Sequence, residues 1–163
     1  MKFDAVIFDL DGTLADTLDD LAEATNVGLE QLGLPPVPVE KIKYMVGMGR
    51  TELCRRALPA DHQHLVNRLA ELLSAYYAEH WHDQTVLYPG IEDLLRRLAE
   101  SGLPLAVLSN KPQDFVEVMV ARMMGFVRFA VVQGDRPDVP RKPDPAGALA
   151  IAQTLAVPVE RIA

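Results

Sequence analysis

Val6-Ile7-Phe8-Asp9-Leu10-Asp11-Gly12-Thr13-Leu14 is the stretch on which the fold turns. Val6, Ile7 and Phe8 are β-formers in a short continuous apolar run, the pattern of a strand buried on both faces. Residues two apart on a strand point the same way, so Asp9 and Asp11 can share one side where the strand ends. Gly12 lets the backbone turn sharply and approach a ligand. Thr13 offers a hydroxyl and a backbone N–H. Two readings stand side by side. The acids serve a cation or a reaction, which would justify carboxylates at a buried strand end. Alternatively they are solvated Asp residues closing an Asx-turn.

Outward from this strand, Thr17 with Asp20 three residues on resembles a capping box. Leu18, Leu21, Ala22, Thr25, Leu29 and Leu32 follow at helical spacing, with Gly33 as the stop. Leu34-Pro35-Pro36-Val37-Pro38 cannot continue a helix. A short helix is expected over 39–46 and another over 50–58, with Gly47-Met48-Gly49 between them. Pro59-Ala60-Asp61 is expected to cap a longer helix to about His80. After Leu87-Tyr88-Pro89-Gly90 the pattern changes to alternation. A helix over 91–101, a strand over 105–108, a helix from Pro112 to Gly125, a strand over 129–132 and a helix capped by Asp144 are predicted. This is an α/β chain with a Rossmann-like parallel sheet and right-handed crossovers. The helical block implies a second lobe. The core is assigned to 1–14 with 83–163, and an all-helical cap to 15–82.

In open parallel sheets, ligands collect beyond the carboxyl ends of the strands. Three strand ends here carry groups suited to one anion: Asp9 to Thr13, Ser109-Asn110-Lys111, and Arg141-Lys142-Pro143-Asp144. Taken singly, Ser-Asn is an ordinary turn and Lys-Pro an ordinary loop. The signal lies in all three, in order, at one sheet edge.

Composition narrows the classes. Of 163 residues, 49% are hydrophobic and 24% charged, which is ordinary for a globular chain. A net charge of −7 gives no basic face for nucleic acid, so no nucleic-acid partner is expected. Cys54 is the only cysteine, so no intrachain disulfide can form, which suits a cytoplasmic location. Asp4 and Asp9 interrupt the first apolar run, so it is neither a signal peptide nor a membrane span. His62, His64, His80 and His82 lack helical metal-ligand spacing.

Asp9-Leu10-Asp11-Gly12-Thr13-Leu14 resembles the first motif of the haloacid dehalogenase-like hydrolases, and Ala15-Asp16-Thr17 fits the phosphatase branch. Ser109 matches that family's second motif and Lys142 its third. Tyr88-Pro89-Gly90 to Asn110-Lys111-Pro112 is similar to the phosphoglycolate phosphatases in particular. The resemblance implies a Mg²⁺-dependent phosphatase acting on a small phosphorylated metabolite such as 2-phosphoglycolate. It implies Asp9 as nucleophile and Asp11 as general acid and base. Asp9 (carboxylate) and Asp11 (backbone carbonyl) would be the metal donors. Thr13, Ser109, Asn110 and Lys142 would bind phosphate. Arg50, beside Gly47-Met48-Gly49, is the cap's candidate for a substrate carboxylate. A phosphoglucomutase or a pyrophosphatase of the same superfamily is the nearer alternative.

The resembled family continues into a further strand and a Gly-Asp motif with additional acids. The sequence ends at Val159-Glu160-Arg161-Ile162-Ala163, and Gly134-Asp135 precedes Lys142, out of order. Two expectations follow. One is a shortened chain without its last metal ligands, catalytically inactive, binding at most phosphate or a partner. The other is an unpaired apolar edge beside Val6 to Phe8. A homodimer or a strand swap would cover that edge.

Overall fold

Strand β1 (Val6–Phe8) lies parallel to β4 (Leu105–Pro112), which lies parallel to β5 (Val131–Asp135), giving the order β1-β4-β5. A computed structural model describes residues 2–163. It divides into two compact units, residues 1–15 with 87–163, and residues 16–86. Register pairs Val6 with Leu105 and Phe8 with Val107, then Ala106 with Val131 and Leu108 with Gln133. The first unit also holds helices α5 (Ile91–Glu100), α6 (Gln113–Met124) and α7 (Ala146–Leu155). Ala106, Leu108 and Ile151 form a buried cluster, with Ile7, Val131, Ala148 and Leu155 against it. That cluster seats α7 on the sheet. The sheet is fixed by apolar burial and main-chain pairing, so its carboxyl ends are stable places to hang polar groups.

Two strand limits differ from the sequence reading. β4 does not stop at Leu108 but continues through Ser109, Asn110 and Lys111, all buried. After a register shift, Pro112 pairs with Asp135, so main-chain pairing outlasts the apolar run. β5 starts at Val131 rather than 129 and carries Gly134 and Asp135 inside it.

The edge of β1 expected to be unpaired beside Val6 to Phe8 is paired over its first part. The Asp4 N–H donates to the Arg161 carbonyl at 2.8 Å, and the Ala163 N–H to the Ala5 carbonyl at 3.1 Å. The Ile7 N–H donates to the Ala163 carbonyl at 2.9 Å. Ala5 and Ile162 thus form a parallel bridge on the side of β1 away from β4. Val159–Arg161, a short 3₁₀ turn, delivers the chain to that position.

The second unit is helical: α1 (Leu18–Gln31), α2 (Val39–Ile42), α3 (Arg50–Ala57), a 3₁₀ segment (Ala60–Leu65) and α4 (Val66–His80). The long helix expected from Pro59 is therefore split into a 3₁₀ turn and α4. Leu21, Ala24 and Leu29 of α1 and Leu69, Leu73 and Tyr77 of α4 are buried. β2 (Ala15–Asp16) and β3 (Val86–Leu87) pair as a two-stranded ribbon where the chain passes between units. Nothing in the helical periodicity announced that ribbon.

The capping box at Thr17 and Asp20 is also corrected. Thr17 makes no side-chain cap to α1. Asp20 is buried, and its carboxylate accepts from Gln84 N–H at 3.0 and 3.2 Å and Thr85 N–H at 2.8 Å. It ties the far end of the helical segment to its beginning. Asp20→Ala would leave two amides without their acceptor, and the expected loss is about 2–3 kcal/mol in urea unfolding. Asp20→Asn keeps one acceptor oxygen and should lose about half as much. A loss below about 0.5 kcal/mol for Asp20→Ala would rule the tie out.

Candidate active site

The site is built at the carboxyl ends of β1 and β4 and on the loop after β5, all in the first unit. Gly12 sits at φ +75°, a conformation that side chains rarely adopt. It closes a turn in which the Leu10 carbonyl accepts from Thr13, Leu14 and Ala15 at 3.3, 3.0 and 3.0 Å. The turn leaves Asp9 on one side of the strand end with its side chain 43% exposed. Its Oδ1 accepts from the Leu10 N–H at 2.7 Å and pairs with Lys142 Nζ at 2.8 Å. Among the described residues, no hydrogen bond falls on Asp9 Oδ2. One oxygen is thus held and the other is without a hydrogen bond on a part-exposed side chain, which suits a nucleophile.

Lys142 is positioned from three directions. Its Nζ donates to the Leu108 carbonyl at 2.8 Å as well as facing Asp9. Its main chain is paired by Asn110: the Lys142 N–H donates to Oδ1 at 2.9 Å, and Nδ2 donates to the Lys142 carbonyl at 3.0 Å. Arg141 adds a two-point ion pair to Asp135 at 2.7 and 2.6 Å, tying the loop to the end of β5. The Lys142–Pro143 bond is cis. Asn110, expected at the phosphate, also holds the main chain of Lys142 through both ends of its amide.

The other predicted residues fall as follows. Ser109 is buried, and its Oγ accepts from the Lys111 N–H at 3.2 Å, so its own hydrogen remains to donate. Thr13 is exposed at the turn; its N–H faces the Leu10 carbonyl at 3.3 Å, so its hydroxyl is the better placed donor. Asp11 pairs with Lys111 Nζ at 3.0 Å, with side-chain exposures of 14% and 4%. The two carboxylates are therefore sorted onto two lysines, Asp9 on Lys142 and Asp11 on Lys111. Mutual repulsion of adjacent carboxylates is offset before any ligand arrives.

Lys111 belongs to the second anion-suited strand end of the sequence but is given no role of its own there. Its spacing is the available signal: it stands two residues after Ser109 on β4, as Asp11 stands two after Asp9 in the turn beyond β1.

Arg50 belongs to the other unit, at the start of α3. It is half-buried, and its guanidinium donates to the Ser74 hydroxyl within its own unit. Its Nε is buried with no hydrogen-bond partner among the described residues. Cys54, one turn further on α3, is buried, and burial pushes its thiol up to about 11, a packed side chain rather than a nucleophile. His62 and His80 pair with Asp61 and Asp83, each at 2.8 Å. Among the described residues, no helix is long and apolar enough to cross a membrane.

The family model for haloacid dehalogenase-like hydrolases matches residues 3–163. The phosphoglycolate phosphatase of Pseudomonas putida KT2440 is 39% identical over 159 residues, covering 93% of this chain and 58% of that protein. A haloacid dehalogenase-like family hydrolase of Streptococcus pneumoniae superposes with a TM-score of 0.85 at 25% identity, over 99% of this chain and 74% of that one. CbbY from Rhodobacter sphaeroides, solved in complex with phosphate, superposes with a TM-score of 0.74 at 27% identity, over 98% of this chain and 76% of its own. The chain spans 58–59% of the length of the first curated relatives it matches.

Proposed function

The chain belongs to the haloacid dehalogenase-like hydrolase family, and from that premise we propose that its strand-end site hydrolyses a small phosphomonoester of the 2-phosphoglycolate type. The observation that carries the reading is Asp9. Its carboxylate has one oxygen held by Leu10 and Lys142 and the other without a hydrogen bond, on a side chain that is 43% exposed. The names of the Pseudomonas relatives support the substrate class. The phosphate in CbbY, a protein of the same fold, supports the ligand class.

In the proposed reaction, Asp9 Oδ2 forms a bond to phosphorus as the bond from phosphorus to the ester oxygen breaks. The departing oxygen takes a proton from the Asp11 carboxyl. Water then attacks phosphorus, gives a proton to Asp11, and the Asp9–phosphorus bond breaks to release phosphate. Dividing the hydrolysis in two lowers each barrier. Asp11 serves as acid in the first step and base in the second. Lys142, the Ser109 hydroxyl and the Thr13 hydroxyl supply positive charge and donors for the phosphoryl oxygens. Asn110 acts through Lys142, by holding its main chain.

A carboxylate and a phosphate dianion repel, so the reaction needs a cation beside the lysines. Among the described residues, no group of three or more His, Cys, Asp or Glu side chains is placed to hold a metal. The Asp9 carboxylate and Asp11 backbone carbonyl are nevertheless hard oxygen donors. Such a small set suits Mg²⁺, which takes one or two carboxylates and completes its shell with phosphate oxygens and waters. When bound, it would supply charge neutralisation between nucleophile and substrate.

The test is release of inorganic phosphate from 2-phosphoglycolate, with Mg²⁺ and with a chelator in its place. Release should occur with Mg²⁺ and fall at least about a hundredfold on chelation. No release from 2-phosphoglycolate or other small phosphomonoesters would overturn the proposal.

A further inference from the structure

Lys111 is a buried lysine that the reaction above leaves without a task. We infer that it is a positioning residue, fixing the Asp11 carboxylate in the orientation from which it protonates the departing oxygen. The inference rests on the phosphomonoesterase reading and extends it to a residue outside the nucleophile, the acid and the phosphate clamp.

The geometry is specific. Lys111 lies inside β4, and its N–H donates to Ser109 Oγ at 3.2 Å. The next residue, Pro112, pairs with Asp135 of β5, so the main chain on both sides of Lys111 is held. Its side chain is 4% exposed, and its Nζ meets Asp11 Oδ1 at 3.0 Å. A buried ammonium is costly, and a well-packed apolar side chain of similar length serves a core at least as well. The charge is therefore explained by what it does to Asp11 rather than by stability. A carboxylate rotates easily about its last torsion, while proton transfer requires a defined donor direction. A charge-assisted hydrogen bond from a fixed ammonium removes that freedom. Lys142 cannot do the same, because its ammonium is engaged with Asp9 and the Leu108 carbonyl.

The experiment compares two phosphate esters on wild type, Lys111→Met and Lys111→Gln. 2-Phosphoglycolate loses a basic alkoxide that needs a proton; p-nitrophenyl phosphate loses a phenolate that does not. The quantity read is kcat/KM, which reports only steps through departure of the leaving group. In Lys111→Met, kcat/KM should fall about a hundredfold for 2-phosphoglycolate and less than about threefold for the aryl ester. Lys111→Gln keeps a neutral donor and should fall between. The ratio of the two esters within one preparation cancels any loss of folded protein, so a merely structural role leaves it unchanged. If Lys111→Met yields no soluble protein, Lys111→Gln alone decides, with a shift in the ratio of about tenfold expected. Equal loss of both esters, or no loss, overturns the role of Lys111 while the phosphatase reading stands. A wild type silent on both esters overturns the phosphatase reading and this role with it.

Discussion

Asp9→Asn should abolish phosphate release, lowering kcat by roughly 10⁴-fold or more, while leaving the protein folded. The amide oxygen is a poor nucleophile, and its adduct with a phosphoryl group has no stable form. No other carboxylate can take its place. Asp11 is tied to Lys111, and its side chain is only 14% exposed against 43% for Asp9. The substitution removes the charge opposite Lys142, yet Lys142 keeps the Leu108 carbonyl at 2.8 Å and its main-chain pairing with Asn110. The Asp9–Lys142 pair is open to solvent, which screens it. Its loss should therefore cost no more than about 1 kcal/mol in a thermal melt. The two measurements belong together. Lost release with an unchanged melt assigns the chemistry to Asp9. Residual release above about 1% of wild type would take the covalent step away from Asp9.

Where the sequence was readable, one physical signal spoke for each feature. The run Val6 to Phe8 and the run Leu105 to Leu108 are short and continuously apolar, so their strands could be seen. Asp9, Ser109 and Lys142 end up at one sheet edge because parallel strands place their carboxyl ends together. What was not readable depends on partners distant in sequence. Asp20 looks like a helix cap until the amides of Gln84 and Thr85 are brought to it. The limits of β4 and β5 were misplaced because pairing, not hydrophobicity, decides where a strand ends. Ser109, Asn110 and Lys111 are polar and still belong to β4. The edge of β1 is covered in part for a related reason: three residues with no strand pattern, Arg161 to Ala163, hydrogen-bond to Asp4, Ala5 and Ile7.

Gly134→Ala should destabilise the first unit by about 3 kcal/mol and reduce phosphate release roughly tenfold at temperatures where the protein is still folded. A Cβ at this position would stand 2.6 Å from Gln113 Cα, 2.8 Å from the Lys111 carbonyl oxygen and 2.9 Å from the Gln113 nitrogen. These are main-chain atoms, so no rotamer change can relieve the overlap; β5 must move away from the end of β4. That movement works against the pairing of Pro112 with Asp135 and the bond from the Gly134 N–H to Gln113 Oε1 at 2.5 Å. It also displaces the segment that carries Ser109, Asn110 and Lys111, which is why activity should fall along with stability. Gly147→Ala is the control. Its Cβ would meet Gln133 Nε2 at 2.9 Å and Leu108 Cδ1 at 3.0 Å, both side-chain atoms that can yield. It should lose only about 1 kcal/mol in the same melt. Equal losses for the two glycines would mean that the end of β5 is free to shift. Ser109 and Lys111 would then owe their placement to something other than the close contact of these two strands.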